Sequence, residues 1–534
     1  MARVHLQDEL IKSADRITVQ TQFGPIKGGR AANGAAVFLE VPYALPPGRF
    51  EDPKPLPPGF QYEDKEYVYE SKYCAQPTND GQGAGIPRED RLGLGKPSED
   101  PLYVNIVSPP NFTPNSKYAV KVYIHGGFLQ FGSPHGLSAQ APYVAVERSE
   151  VWVNIGYRLS VFGFLACDNP RVEGNFGFKD QWLALLWIRD NIAKFGGDPT
   201  NIQVTGLSAG AHSVHQILHH ASRLPDGEQA PFQSAMLQSN AILTIPKTPT
   251  DLRPQFEALC RVLGLDPSSS NVLTQLRDTS TIPWDKLTHV IETDAIGTEF
   301  GSFRGALDGT WLATTPDPMA WQRSGGFARA LRGKGVRSIV VGDLTEEWYL
   351  YSIAHPVNAA EDVVHNVRRY YPHDVVDKML ACYPAPPEDA DQKQLERYMG
   401  DILADGQVHF PVRLFARDLL NAGFPVLRYE IRWTPEQYRP YGYVTHGTDR
   451  LLWTLRLPAL EPVQIVAART WLDIIDAETK SLEAGMNVNA RDPKKVLALK
   501  EDKTVAWKDD DRWDHLMRLR TALPGENDTA VGRL

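Results

Sequence analysis

The sequence predicts an α/β fold: one large, mostly parallel sheet with helices on both faces and a small N-terminal sheet. Three observations predict it. From residue 101 onward, short β-branched and aromatic runs alternate with helical stretches, the pattern of strands buried on both faces. The stretch 201–215, NIQVTGLSAGAHSVH, passes from alternating Ile202 and Val204 through Gly206-Leu207-Ser208-Ala209-Gly210 into a helix-compatible run. No internal repeat and no clean linker divides the 534 residues, so a single large domain spanning 1–534 is expected.

The elements follow in order. Residues 16–30 alternate and then break at Phe23-Gly24-Pro25 and at Gly28-Gly29, which predicts a small hairpin. The proline-dense run VPYALPPGRFEDPKPLPPGF is expected to be an extended surface segment. Residues 79–96, rich in glycine and charge, read as a long loop; Gly93-Leu94-Gly95-Lys96 lacks the spacing and the Ser or Thr of a phosphate loop. Leu102–Val107, Ala119–His125 and Val151–Tyr157 read as buried strands. Asp180–Phe195 reads as a helix with Leu183, Leu186 and Trp187 on one face, ended by Gly196-Gly197-Asp198-Pro199. Ser234–Gln238, Ser338–Val341 and Val426–Ile431 are further strands. In such a sheet, function belongs at the carboxyl ends of the strands.

Composition excludes several classes. Hydrophobic residues make up 42% and charged residues 23%, ordinary for a globular protein, and the formal net charge of -9 comes without a basic block. Nucleic acid is therefore not an expected partner. The first seventeen residues carry Asp8, Glu9, Lys12, Asp15 and Arg16 where a signal peptide needs an apolar core, and no run is long enough for a membrane span. Cys74, Cys167, Cys260 and Cys382 are scattered without metal spacing. Sequons at Asn111 and Asn527 read as accidental, and the expected location is the cytoplasm.

G-x-S-x-G between a strand and a helix is the nucleophile-elbow pattern. The turn forces the serine into a strained conformation with its hydroxyl outward, and the residues two before and two after it crowd each other, so both are glycine. The helix that follows aims its N–H groups and positive dipole end at the same point. A serine hydroxyl needs a base, and the base needs a group to fix its tautomer. Two later segments can supply them: the strand Ser338–Val341 running into Asp343-Leu344-Thr345-Glu346-Glu347-Trp348, and the loop Tyr441–Asp449 exposing His446. Upstream, His125-Gly126-Gly127-Phe128 can turn N–H groups toward an oxyanion.

As an ordered set these segments resemble the type-B carboxylesterases of the cholinesterase-like α/β-hydrolase family. The matches are Val41-Pro42-Tyr43-Ala44, Ser98-Glu99-Asp100, His125-Gly126-Gly127, Tyr157-Arg158-Leu159 and Val161-Phe162-Gly163-Phe164-Leu165. Gly174-Asn175, Asp180-Gln181 and Phe195-Gly196-Gly197-Asp198-Pro199 precede the elbow, and Leu237-Gln238-Ser239 follows it. The likeness covers about 16–455 and fades after about 460. It implies Ser208 as nucleophile, His446 as general base and acid, and Glu347 as orienting carboxylate; Glu347 is preferred to Glu346 because it lies five residues after Gly342. It implies an oxyanion hole from the N–H groups of Gly127, Phe128 and Ala209, with Gly126, Leu207 and Ser239 in support. The implied reaction is hydrolysis of a small, fairly apolar carboxylic ester through an acyl-serine, without metal or organic cofactor. Acyl transfer or product release in secondary metabolism, and a non-catalytic neuroligin-like binding role, are the alternatives; oligomeric state is left open.

Four departures from the family bear on specificity. Phe128 replaces the third glycine of the oxyanion loop, which predicts poor acceptance of bulky alcohol groups. Leu207 replaces the glutamate beside the nucleophile, and Trp348 replaces the glycine after the acid, where it is expected to reshape the floor of the site. The family disulfides implied for Cys74 and Cys260 have lost their partners at Pro101 and Gln275, which fits a reducing compartment. No tryptophan lies between Asn79 and Lys96, so no aromatic platform for choline is expected.

Other residues have plainer readings. His212, His215, His219 and His220 read as satisfied helix histidines rather than metal ligands, His125 as a brace for its loop, and Trp182, Trp187 and Trp453 as core. The ending Gly532-Arg533-Leu534 only loosely resembles a peroxisomal address.

Overall fold

The computed structural model describes residues 4–78 and 86–526. The sequon at Asn527 and the Gly532-Arg533-Leu534 ending lie outside the described residues, as does the first part of the 79–96 loop. The centre is a 12-stranded sheet. In chain order its strands are β1 (Arg16–Thr21), β2 (Gly24–Arg30), β3 (Ala36–Pro42), β4 (Tyr103–Ser108), β5 (Tyr118–Ile124) and β6 (Glu150–Ile155). The second half adds β7 (Gly197–Leu207), β8 (Ser234–Gln238), β9 (Ser338–Leu344), β10 (Val426–Ile431), β11 (Lys495–Leu499) and β12 (Val505–Asp509). Across the sheet the order is β1-β2-β3-β4-β6-β5-β7-β8-β9-β10-β11-β12. Every pairing from β6 to β11 is parallel, and the N-terminal strands form a small antiparallel set hydrogen-bonded onto one edge through β3 and β4.

The parallel strands are apolar on both faces because both are covered. Along β9, Ile339 and Val341 join one core cluster while Val340 and Leu344 join another on the opposite side. Parallel direction also brings the carboxyl ends of β5, β7, β8, β9 and β10 to one edge, in register through Ile124 and Gly206, Leu207 and Gln238, and Gln238 and Gly342. That edge carries the loops with the chemistry-bearing residues.

Several sequence expectations need correction. Gly28 and Gly29 do not end the hairpin strand but lie inside β2: a β-carbon on Gly28 would sit 2.4 Å from the Val37 carbonyl of β3, so the glycine serves a close strand approach. The proline-dense segment is irregular as expected, yet it is pinned inward by buried Tyr43, Phe50 and Arg49. The Arg49 guanidinium pairs with Glu99 and donates to the Leu276 and Ile282 carbonyls. The 79–96 stretch is not all loop, since Arg88–Leu92 is helical and Lys96 begins a short strand. Helix α1 (Phe176–Asn191) starts earlier than expected, and its buried face runs through Gln181, Ala184, Leu185 and Ile188, with Leu183 and Leu186 only half-buried.

The C-terminal region, which the sequence left open, completes the sheet. Helix α3 (Phe410–Asn421) packs against β9 and β10, α4 (Pro462–Glu483) covers the same strands, and β11 and β12 extend the edge. A buried ionic network ties these parts together: Asp343 at the end of β9 accepts from Arg413 at 2.8 Å, and Arg413 pairs with Asp510 beyond β12 at 2.8 Å. No helix among the described residues is long and apolar enough to cross a membrane.

Candidate active site

Strand β7 ends at Leu207 and helix α2 (Ala209–Ala221) begins one residue after it, leaving Ser208 alone in the turn at φ 60°, ψ -127°. Such a conformation costs about 1–3 kcal/mol and persists only where the surroundings enforce it. Here they do. The Ser208 N–H donates to the Gln238 carbonyl at 2.8 Å, and its own carbonyl accepts from the His212 N–H at 3.0 Å. A β-carbon on Gly206 would meet the backbone of Gly210 at 2.2 Å, and one on Gly210 the Ile124 carbonyl at 2.1 Å. Both glycines are therefore required sterically. Ser208 is 8% exposed, enough to be reached from one side only.

The loop after β5 comes down on this turn. A β-carbon on Gly126 would lie 2.6 Å from the Leu207 carbonyl and 2.8 Å from the Ser208 β-carbon, which is why the loop carries glycine there. Gly127, Phe128 and Leu129 all have positive φ, 115°, 55° and 64°. The loop closes on itself, with the Gln130 and Phe131 N–H groups both donating to the Gly127 carbonyl. Among the described residues the N–H groups of Gly127, Phe128 and Ala209 have no protein acceptor, so all three are free to donate to a ligand. His125 braces the loop as expected: its Nδ1–H donates to the Gly126 carbonyl at 2.9 Å and its ring stacks on Tyr157 at 4.6 Å. Burial pushes its pKa down to about 4, so the ring is neutral at ordinary pH.

The acid and the imidazole are also brought together. His446 Nδ1 donates to Glu347 Oε2 at 2.6 Å, and the other oxygen of that fully buried carboxylate accepts the Leu344 N–H at 3.1 Å. Glu346 turns away and accepts the Val444 N–H at 2.6 Å, which fixes the histidine loop. Of the two glutamates it is Glu347 that reaches the imidazole. His446 Nε2 is buried without a protein partner, and Ser208 makes no side-chain hydrogen bond.

The supporting residues divide. Leu207 packs on Tyr123 and Ala139, and a β-carbon on Gly447, beside the histidine, would lie 3.7 Å from the Leu207 side chain. Ser239 is buried at φ 54°, its N–H on the Gly342 carbonyl and its hydroxyl unpartnered. Trp348 does not form the floor of the site; it stacks on Arg397 at 3.9 Å and packs on Tyr443 at 4.8 Å, behind the histidine loop. Phe128 does take up space at the site, edge-on to Tyr351 at 6.1 Å.

Ser208, Ala209, Phe128 and Leu129 line a narrow recess of about 20 Å³, much smaller than a usual ligand pocket and closed down around the serine. The remaining lining was not legible beforehand: His212, Asn240, Arg304 and Gln407 bring polar groups, with Tyr351 between them. A fairly apolar ester does not account for that half of the lining. Asn240 directly follows the Leu237-Gln238-Ser239 segment, a signal that could have found it. Gln407 comes from a π-helical turn, Asp405–His409, which has no simple sequence mark.

The histidines of α2 divide: His212 lines the recess, His220 faces the Trp311 carbonyl at 3.0 Å, and His219, expected to be satisfied, has its Nε2 buried with no partner among the described residues. His215 accepts the Ile242 N–H at 2.9 Å, faces Gln322 Oε1 at 2.9 Å and stacks on His219 at 4.9 Å. Among the described residues the one cluster with metal-ligand spacing is Glu430, Asp510 and Asp511. Its carboxylates are already occupied by Arg428, Arg432, Arg512 and Lys508. Trp187 and Trp453 are buried and bonded to Tyr62 and Asp449, while Trp182 is half-buried against His220.

Comparison with known proteins adds the following. The model of the carboxylesterase family matches residues 15–468. A carboxylic ester hydrolase of Gibberella moniliformis is 32% identical over 447 residues, 78% of each chain. An uncharacterized esterase/lipase of Schizosaccharomyces pombe is 29% identical over 519 residues, 91% of this chain and 92% of its own. Carboxylesterase 1D of Rattus norvegicus is 27% identical over 453 residues, 80% of this chain and 77% of its own. A solved PNB esterase superposes with a TM-score of 0.68 over 94% of this chain and 99% of that one, at 24% identity, a likeness of fold.

Proposed function

This chain belongs to the carboxylesterase family and has the α/β-hydrolase fold; from that premise we propose that it hydrolyses a small carboxylic ester through an acyl-serine on Ser208. Ester hydrolysis itself comes with family membership. The residue roles are our reading, and the observation that carries them is the 2.6 Å contact between Glu347 and His446 beside a strained serine turn.

In this reading His446 Nε2 takes the Ser208 proton as the hydroxyl oxygen attacks the ester carbonyl. The developing oxyanion accepts hydrogen bonds from the Gly127, Phe128 and Ala209 N–H groups, and the dipole of α2 favours the same charge. Glu347 holds the Nδ1–H tautomer and stabilises the imidazolium that forms. His446 then gives its proton to the leaving alkoxide, and water, activated by the same imidazole, releases the acid. Apart from the substrate and the attacking water, each step uses side chains and backbone of this chain. A cytoplasmic location remains part of the proposal and rests on the lost cystine partners at Pro101 and Gln275.

Stopped-flow hydrolysis of 4-nitrophenyl butyrate tests the intermediate. A burst of one nitrophenol per chain, absent in Ser208→Ala, is expected. Steady hydrolysis undiminished in Ser208→Ala would overturn it. Added acceptor alcohols read the partition between hydrolysis and transfer in the same experiment.

A further inference from the structure

Arg304 is the one strongly charged group lining the recess beside Ser208. Its position is fixed from both sides. The carbonyl of Phe303 accepts from Gln130 of the oxyanion loop at 2.7 Å, and Ala306 exchanges hydrogen bonds with the Asn175 side chain at 2.8 and 2.9 Å. Gly305 lies flat on Phe178, where a β-carbon would come within 2.4 Å of the ring. The segment carrying Arg304 is thereby tied to the same loop that holds the oxyanion donors.

The guanidinium itself has no acceptor among the described residues. It lies 4.5 Å over the ring of Tyr370, and its Nε is buried with no hydrogen-bond partner. No carboxylate among the described residues pairs with it. The nearby acids are committed elsewhere: Glu347 to His446, Asp294 to Arg369 at 3.0 Å, and Asp405 to the Tyr383 hydroxyl at 2.8 Å. Tyr351 and Asn240 also line the recess, and neither side chain has a hydrogen-bond partner among the described residues. A half-buried cation whose Nε is buried and unpartnered, with two idle polar groups lining the same small recess, makes a site for an anion, since arginine does not deprotonate and an unmade buried hydrogen bond is costly.

Resting on the ester-hydrolase reading above, we propose that the substrate carries a carboxylate on the part seated in this recess, and that Arg304 is the residue that selects it. A carboxylate matches the planar guanidinium fork. Nothing in the recess competes as a second cation: burial, aided by the Arg304 charge, holds His212 down to about 3, so its ring is neutral. The same charge repels a quaternary ammonium, which agrees with the missing aromatic platform.

The test uses the full chain and two matched pairs of esters. One pair puts the charge on the acyl side, the 4-nitrophenyl monoester of glutarate against that of glutaramate. The other puts it on the alcohol side, the butyrate esters of 4-hydroxybenzoate and 4-hydroxybenzamide. In at least one pair kcat/KM for the carboxylate is expected to exceed that for the amide by tenfold or more. Arg304→Gln should cut that ratio at least tenfold, and Arg304→Lys should keep part of it. Free glutarate or 4-hydroxybenzoate should inhibit competitively, with the inhibition weakened in Arg304→Gln. Normal turnover of neutral esters with no preference in either pair overturns the inference and leaves the hydrolase reading standing. Failure of every ester together with unaltered carboxylate binding in a thermal-shift assay sinks the hydrolase reading while supporting the anion site.

Discussion

Glu347 Oε2 sits 2.6 Å from His446 Nδ1, while the neighbouring Glu346 bonds the Val444 N–H two residues before that histidine. Two adjacent carboxylates thus have separate tasks, one on the imidazole and one on its loop. Glu347→Gln is expected to lower kcat by roughly 10⁴-fold, the size of effect seen when an orienting carboxylate becomes an amide and the tautomer is lost. Glu346→Gln should cost far less in kcat and lower the melting temperature. Steady-state kinetics with circular dichroism on both variants checks this, and equal losses would refute the assignment.

Phe128 holds φ 55° beside the nucleophile and projects its ring toward Tyr351. Phe128→Gly removes the strained β-carbon and opens that side of the recess. The ratio of kcat/KM for tert-butyl acetate to that for ethyl acetate should rise tenfold or more. A native enzyme already indifferent to alcohol bulk would contradict the role given to the ring.

Burial holds His125 at about 4 and both His212 and His215 at about 3, well under the ordinary imidazole value. In the unfolded chain these rings take up protons from about pH 6.5 downward, whereas in the folded chain they do not. The unfolded state therefore binds more protons across that window, and stability falls as pH falls, by about 1.4 kcal/mol per unit for each such ring. Urea unfolding at pH 7.5, 6 and 5 should show a steady loss. His215→Gln, which keeps an acceptor for the Ile242 N–H, should flatten the slope by about one proton; an unchanged slope would mean that this ring titrates normally.

Asp510 lies between the buried guanidiniums of Arg413 and Arg428, which hold its carboxyl well below the usual range. Asp510→Asn leaves two buried cations short of a partner and should cost about 3–5 kcal/mol. Urea titration measures it, and a cost under about 1 kcal/mol would show that the C-terminal strands are held by packing alone.

What could be read from the sequence is local. Gly206, Gly210 and Gly126 announce themselves because each answers a clash within a few residues of a recognisable turn. Glu347 and His446 were legible as members of an ordered family pattern, though their meeting across ninety-nine residues is a fact of the fold. β11 and β12 escaped because each is only five residues long and lies where the family likeness has faded. Arg304, Gln407 and Asn240 reach one recess from three distant segments, and no spacing in the chain records that. Trp348 shows the converse: its position beside Glu347 suggested the floor of the site, but the helix Trp348–Ser352 turns the ring outward onto Arg397.

The central claim is that Ser208 is an activated nucleophile, and intact-mass measurement after treatment with a fluorophosphonate tests it most directly. The account predicts one adduct per chain, absent in Ser208→Ala and strongly slowed in Glu347→Gln. A folded sample that takes up no label, or labels equally in Ser208→Ala, would contradict it.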